Sequence, residues 1–488
     1  MSLHGLAFTN HFAELPERFY QRVQPTAIPD PALIAFNPDA AALLDLDLSA
    51  ASDPEFLAWV AGNRVPEGAA PLAMAYAGHQ FGVFVPQLGD GRAILLGGVT
   101  NRHGEHWEVQ LKGSGQTRYS RFGDGRAVLR STIREYLCSE AMAGLGIPTS
   151  RALAIAASNL PVQREEYETA AVLVRLAPTH VRFGSFEFFA SRRQDDAVRQ
   201  LADWVIAHFH PELAGRNERY AEWFQEVTTR TARLIAGWMA VGWSHGVMNT
   251  DNMSILGLTI DYGPFGFLDG YDSGFICNHS DHAGRYAYDQ QPAVGLWNLT
   301  RLAEALLSIN PEADALLALN HYQPAFHDEY QRLMRAKLGL VTGEEADTAL
   351  IWDLLEVLQQ GKVDYTRLFR LLGTFDSAAG AETAGLRQEA GYLGSFDAWT
   401  ERYGARLRRE GSEDGERRVR MDRVNPAYVL RNYLAEQAIR AARDDGDVGE
   451  LEQLHQVLRT PFTEQPGMER YLAPPPDWGR ALVVSCSS

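Results

Sequence analysis

The sequence predicts an α+β chain of two lobes, a strand-rich first lobe over residues 71–195 and a helical second lobe over residues 196–445. Short apolar runs broken by Gly and Asp dominate the first stretch, whereas runs with apolar residues every three or four positions dominate the second. No low-complexity linker divides them, so they read as two halves of one catalytic unit. Residues 1–70 read as an N-terminal extension punctuated by Pro, and residues 446–488 as a C-terminal tail that contains Pro474-Pro475-Pro476.

In the first lobe, apolar runs over residues 84–99 flank Gly89-Asp90-Gly91, a hairpin signal. Residues 107–111 form the next strand, which ends at Lys112. The five residues Gly-Asp-Gly-Arg-Ala occur at 89–93 and again at 123–127, too short a repeat to be structural. The second copy opens a helix over about 127–143, stopped by Gly144, Gly146 and Pro148. A strand returns over about 170–176. In the second lobe, residues 222–242 carry Val227, Leu234, Ile235, Trp238 and Met239 at helical spacing and lead into a loop at His245. Further helices are expected over 299–308, 347–358 and 428–443, the last broken by Asp444-Asp445-Gly446-Asp447.

Composition narrows the function classes. There are 62 acidic and 45 basic residues, a formal charge of -17, so a face that condenses onto nucleic acid is not expected. No apolar run reaches the ~18 residues of a membrane span, and the start Met1-Ser2-Leu3-His4-Gly5 has no signal-peptide character. Cys138, Cys277 and Cys486 are too few for a disulfide framework, so a cytoplasmic location is expected.

The chemistry concentrates in His245-Gly246-Val247-Met248-Asn249-Thr250-Asp251-Asn252, followed by Ile260-Asp261-Tyr262-Gly263. Kinase-like phosphotransferases place an Asp two residues after the His, an Asn five beyond it, and an Asp-x-Gly soon after. His245, Asn252, Asp261 and Gly263 fit this pattern. Val247 stands where the base belongs and cannot accept a proton. Asp251 is the carboxylate left in the loop, as a base or an orienting group for an incoming hydroxyl, or as an Asx-turn residue. Asn252 and Asp261 supply the hard oxygens that Mg2+ prefers, leaving its other positions to phosphate and water.

Other residues add to this. Lys112 closes a strand, where a lysine reaches nucleotide phosphates and is held by a helix glutamate. Glu135 suits that role better than Glu140, because it lies nearer the helix middle. Gly89, Gly91 and Arg92 either let backbone and guanidinium approach phosphate or form a plain surface hairpin. Asp124 and Gly125 either begin an anion site at the following helix or serve as its N-cap. Arg175 and Arg182, around Pro178, either clamp a triphosphate or form surface ion pairs. Cys277, His279, Asp281 and His282 match no common closed zinc spacing and lie where a kinase activation loop would, so a mobile substrate-facing loop is expected.

The blocks Gln110-Leu111-Lys112-Gly113-Ser114-Gly115, Asn249-Thr250-Asp251-Asn252-Met253-Ser254, Asp261-Tyr262-Gly263-Pro264 and Asn425-Pro426, with Tyr428-Val429-Leu430-Arg431-Asn432-Tyr433-Leu434, resemble the selenoprotein O (YdiU) family over most of the chain. The resemblance implies a protein-kinase-like fold with N- and C-terminal extensions. It also implies protein adenylylation, with ATP bound in the reverse orientation, AMP passed to Ser, Thr or Tyr hydroxyls, and pyrophosphate released. By resemblance, Gly89, Gly91, Arg92, Lys112, Asp124, Gly125, Arg175 and Arg182 bind ATP, and Glu135 holds Lys112. Asp251 accepts the proton, and Asn252 and Asp261 bind Mg2+, with Mn2+ able to substitute. The partners expected are ATP and protein substrates, with neither nucleic acid nor membrane, and the chain is expected to be a monomer. Animal relatives carry selenocysteine near the C-terminus, where this chain has Cys486. A Cys277–Cys486 bond would then act as a redox latch on the loop. The competing readings are a phosphotransferase, which Val247 disfavours, and an inactive pseudokinase scaffold, which Lys112, Asn252 and Asp261 disfavour.

Overall fold

The structure, a computed structural model, describes residues 5–378 and 385–485. Its first part contains strands β1 (Phe8–Thr9), β2 (Tyr20–Arg22), β3 (Ala32–Phe36), β4 (Leu72–Met74), β5 (Gly78–Gln80), β6 (Val83–Val85), β7 (Ala93–Thr100), β8 (His106–Lys112), β9 (Ala127–Val128), β10 (Arg151–Gln163) and β11 (Tyr167–Ala177). Nine of these form one antiparallel sheet in the order β2-β4-β7-β8-β11-β10-β3, with β1 added to β7 and β9 to β11.

Strand alternation divides the sheet into two faces. Val109, Leu111, Val172 and Val174 point to one, where Phe56, Trp59 and Val60 cover them. Leu173 and Ile155 point to the other, against Ile133, Tyr136 and Leu137 of the Leu129–Gly144 helix. Residues before 71 thus supply β1, β2 and β3 and part of the cover of one face. Gln110, Lys112 and Arg175 have the parity of the helix-covered face.

Three local expectations are corrected. The hairpin over 84–99 does not form. Instead β6 turns back on β5, and β7 pairs with β8. Asp90 is the reason, since its buried carboxylate accepts from Met74 N (3.0 Å) and ties the Gly89–Gly91 segment to the end of β4. The expected 127–143 helix begins later, at Leu129, with Val128 in the N-cap position, so Asp124 is not its cap. Finally, β10 had no counterpart in the sequence reading. Its Arg151-Ala-Leu-Ala-Ile-Ala-Ala stretch is rich in Ala, which strands disfavour, and it forms because β3 and β11 flank it.

Beyond the sheet the chain is mainly helical. The Arg219–Val241 helix packs a continuous apolar face and stops where Gly242 adopts φ 71°. It leads into β12 (Trp243–Ser244), which pairs with β13 (Gly266–Phe267). This short pairing pins the base of the loop that carries Asp251, Asn252 and Asp261. The helices expected at 299–308, 347–358 and 428–443 appear as Gln291–Leu306, Asp347–Gly361 and Asn432–Arg440. The protein is therefore a mixed α+β molecule with a large antiparallel sheet and many helices.

Candidate active site

β8 and β11 run antiparallel in register, placing Arg175 opposite Gln110 and Leu173 opposite Lys112. Both cations meet the buried Glu135. Lys112 Nζ pairs with Glu135 Oε2, and Arg175 Nη1 lies 3.0 Å from Glu135 Oε1. Gln110 Oε1 accepts from Arg175 Nε (3.1 Å), and Gln110 Nε2 donates to Asp90 Oδ2 (3.4 Å). Arg175 is thereby oriented from both sides.

Asp261 is the point where the cations converge. Arg175 Nη1 and Arg182 Nη1 each lie 2.5 Å from its carboxylate, and Lys112 Nζ lies 3.7 Å away. Burial disfavours the charge on Asp261, but Arg182, Arg175 and Lys112 outweigh it and hold the carboxyl well below the usual range. Burial draws the Lys112 ammonium below its usual range, against the opposing pull of Glu135. The backbone of Asp261 sits at φ 58°, in the left-handed region that a non-glycine residue occupies at a cost. His245 steadies this turn from below, its Nε2 3.1 Å from Ile260 O and its own N–H donating to Gln291.

Asp251 lies in a one-turn helix, Thr250–Asn252. Its carboxyl is buried, with Oδ2 accepting from Gln80 Nε2 (3.2 Å). Oδ1 has no hydrogen-bond partner among the described residues. Burial pushes this carboxyl up to about 7, against the pull of Arg182. Space around it is tight, since a Cβ added to Gly78 would fall 2.4 Å from Asp251 Oδ1. Asn252 Nδ2 donates to Val247 O (2.9 Å), which leaves the amide oxygen as its ligating end.

Gly91, Arg92, Lys112, Arg175, Arg182, Asp251, Asn252 and Asp261 all line one cavity of about 490 Å3. Glu135 stands behind Lys112 and Arg175. Gly89, Asp124 and Gly125 are not in that lining. Gly89 packs beneath Tyr119, where a Cβ would come within 2.3 Å of the ring. Asp124 and Gly125 belong to a loop over residues 113–126, closed at its base by Gly115 N donating to Gly125 O (3.1 Å). Asp124 there pairs with Arg164 (2.8 Å).

The motifs of the sequence assign no role to several contributors to the site. Gln80 and Gln110 hold Asp251 and Arg175, Tyr76 lies under the Arg182 guanidinium at 4.5 Å, and Arg121 reaches the cavity from the 113–126 loop. Only Asp90 had a local signal, as the lone acid between Gly89 and Gly91.

Cys277 is buried and donates to Pro264 O (2.8 Å), and burial pushes its thiol up to about 12. Cys486, its expected partner, lies outside the described residues. Asp281 accepts from the backbone of Arg285 and Tyr286, shaping its turn. Among the described residues, no helix is long and apolar enough to cross a membrane.

The model of a family described as protein adenylyltransferase SelO matches residues 2–459. A relative from Thiobacillus denitrificans named protein nucleotidyltransferase YdiU is 56% identical over 487 residues, spanning all of both chains. Relatives of the same name from Myxococcus xanthus and Azotobacter vinelandii are 56% and 52% identical, covering all of this chain and 100% and 99% of their own lengths.

Proposed function

This chain belongs to the protein adenylyltransferase SelO family, and from that premise we propose that it passes AMP from ATP to Ser, Thr or Tyr hydroxyls of proteins and releases pyrophosphate. It is a nucleotidyltransferase, and ATP is its co-substrate. The observation that carries the finer reading is the division of labour across the cleft. Three cations meet Asp261 on one side, a buried carboxyl with an unpartnered oxygen waits at Asp251, and Val247 occupies the place of a kinase base.

In this reading the architecture is a two-lobed kinase-like fold with extensions, acting as a cytoplasmic monomer. Lys112, Arg175 and Arg182 bind the triphosphate, with Arg92 and Gly91 beside them and Gly89 supporting the same segment. Asp124 and Gly125 act through the 113–126 loop, which carries Arg121 into the cleft. Glu135 keeps Lys112 and Arg175 in place. Asn252 and Asp261 would hold Mg2+, which when bound offsets phosphate charge and favours departure of pyrophosphate. One carboxylate and one amide oxygen beside a pocket able to take phosphate suit that ion, and Arg175 and Arg182, which hold Asp261 at 2.5 Å, would turn to phosphate as it binds. Asp251 takes the proton from the attacking hydroxyl, and an upward-shifted carboxyl suits a base working near neutrality.

Val484 O accepts from His279 N (2.8 Å), which brings the chain two residues before Cys486 beside the loop of Cys277. Mass spectrometry of oxidised protein, with activity measured before and after reductant, tests the latch. A missing Cys277–Cys486 cross-linked peptide, together with activity indifferent to reductant, would remove it.

The test of the main reading uses ATP labelled at either the α- or the γ-phosphate. The α label is expected to enter protein and the γ label is not. Stoichiometric transfer of γ label would replace adenylylation with phosphorylation, and nucleotide binding without transfer would leave a scaffold.

A further inference from the structure

A second cavity, of about 660 Å3, opens between the Arg219–Val241 helix, the Tyr322–Lys337 helix and the turn at Leu256–Gly257. It shares no lining residue with the cleft. Leu234, Val241 and Leu333 give it an apolar wall. Five cations line it as well, Arg230, Arg233, Arg332, Lys337 and Arg423, against the single acid Glu329. Arg230 and Arg332 are committed to Glu226 and Glu329, each at 2.6 Å. The side chains of Arg233, Lys337 and Arg423 have no ion-pair or hydrogen-bond partner among the described residues. Both arginines are exposed and mark the mouth.

Lys337 is the unusual member. It is 4% exposed, and its ammonium stands over the rings of Phe369 (4.3 Å) and Tyr365 (5.3 Å). A buried cation without an anionic partner is costly, and here burial lowers the amine to about 7. The chain has three lysines, Lys112, Lys337 and Lys362, among 45 basic residues, so arginine serves nearly every other cationic position. Arginine cannot shed its proton in a protein, whereas a lysine tolerates burial and recovers full charge when an anion arrives. Three cations without a hydrogen-bonded anion, of which Arg233 faces Glu329 only at longer range, stand beside an apolar wall in a chain of charge -17. They are matched by a ligand with concentrated negative charge and an apolar body. A phosphate monoester carries close to two negative charges at neutrality, which suits several cations better than a carboxylate does.

We propose that this cavity is a second ligand site, taking a small molecule that bears a phosphate group on an apolar body, with the phosphate among Arg233, Lys337 and Arg423. The small number of lysines supplies the assay. The full chain is treated with pyridoxal 5′-phosphate, whose aldehyde condenses with a lysine amine and releases water. Borohydride then reduces the imine, and labelled peptides are mapped by mass spectrometry. Relative to Lys362, which cancels the internal hemiacetal that pyridoxal forms with its own 5′-hydroxyl, Lys337 is expected to label about tenfold faster with pyridoxal 5′-phosphate than with pyridoxal. Lys362 provides the reference for an unselective amine. 1-Naphthyl phosphate is expected to protect Lys337, and 1-naphthoate, with the same ring and a carboxylate, is not. The double variant Arg233→Ala/Arg423→Ala should lose the phosphate advantage while pyridoxal labelling stays unchanged. Because both arginines are exposed, that variant keeps the core intact. Equal labelling of Lys337 by the two aldehydes, or label confined to Lys112 and Lys362, would overturn the site. A phosphate advantage that survives the double substitution would overturn the assignment of its cations.

Discussion

The cleft and the second cavity each gather cations, but the lysine in each meets opposite surroundings. In the cleft, Lys112, Arg175 and Arg182 are tied to Glu135 and Asp261, and Gln110 and Tyr76 fix the two guanidiniums further. In the second cavity Lys337 has aromatic rings beneath it and no carboxylate beside it. The contrast separates two uses of positive charge. Paired cations hold a fixed geometry before ligand arrives, as electrostatic preorganisation requires. A buried cation without a carboxylate, as at Lys337, holds a demand that an anionic ligand would satisfy.

The sharpest way to break the contrast is Asp261→Asn. The shape is kept, but three cations lose their shared counter-charge and the proposed metal ligand is weakened. AMP incorporation from α-labelled ATP should fall by about 1,000-fold or more. Activity within about tenfold of the unmodified protein would show that convergence on Asp261 has no functional weight. Asp251→Asn comes next. Turnover should fall by roughly 100- to 10,000-fold while nucleotide affinity, read by calorimetry, stays within about threefold. Near-normal turnover would reduce Asp251 to a residue that shapes its turn. Gly78→Ala is milder and probes position instead of charge. The new methyl crowds Asp251 Oδ1, so kcat should drop by about 10- to 100-fold with KM for ATP little changed. A variant with unaltered kcat would mean that the carboxyl has room to move.

The smallest effect, without consequence for activity, is expected at Lys337 and appears in stability against pH. Burial pushes its amine down from the usual 10.5 to about 7 in the folded chain. Between those values the unfolded chain binds the extra proton, so stability rises with pH across that window. The gain is lost as pH falls back through 7. The slope is at most about 1.4 kcal/mol per pH unit. Lys337→Met should flatten it, as read by urea denaturation at about pH 7 and about pH 9. An unchanged slope would show that the Lys337 amine keeps its ordinary proton affinity in the folded chain.

How much of this was legible follows from sequence distance. The run from His245 to Asp261 is local, so its spacing carried Asp251, Asn252 and Asp261 directly. Lys112 could be found because a strand ends on it. Gln80 could not, since it meets Asp251 across 171 positions, and the pairing of β5 with β6 that presents it has no strong hairpin sequence. Arg121 needs the 113–126 loop to close, which depends on a hydrogen bond between the backbones of Gly115 and Gly125. Of the sheet, β8 and β11 announced themselves through apolar residues. β10 stayed hidden because alanine carries little strand preference and its neighbours come from far along the chain.

The first strands have a consequence for biogenesis. β1 pairs with β7 around Val99, and β3 pairs with β10 through Phe36 and Ala154. On the ribosome the N-terminal segment therefore emerges long before its partners. At about 5–20 residues per second, β3 waits on the order of ten seconds for its neighbour. During that interval Phe56 and Trp59, buried in the finished protein, have no sheet to cover. Nascent chains stalled before residue 160 should thus be bound by chaperones that hold apolar segments. Deletion of residues 5–36 should fail by aggregation through the bared sheet edge, well before any defect in nucleotide handling can be observed.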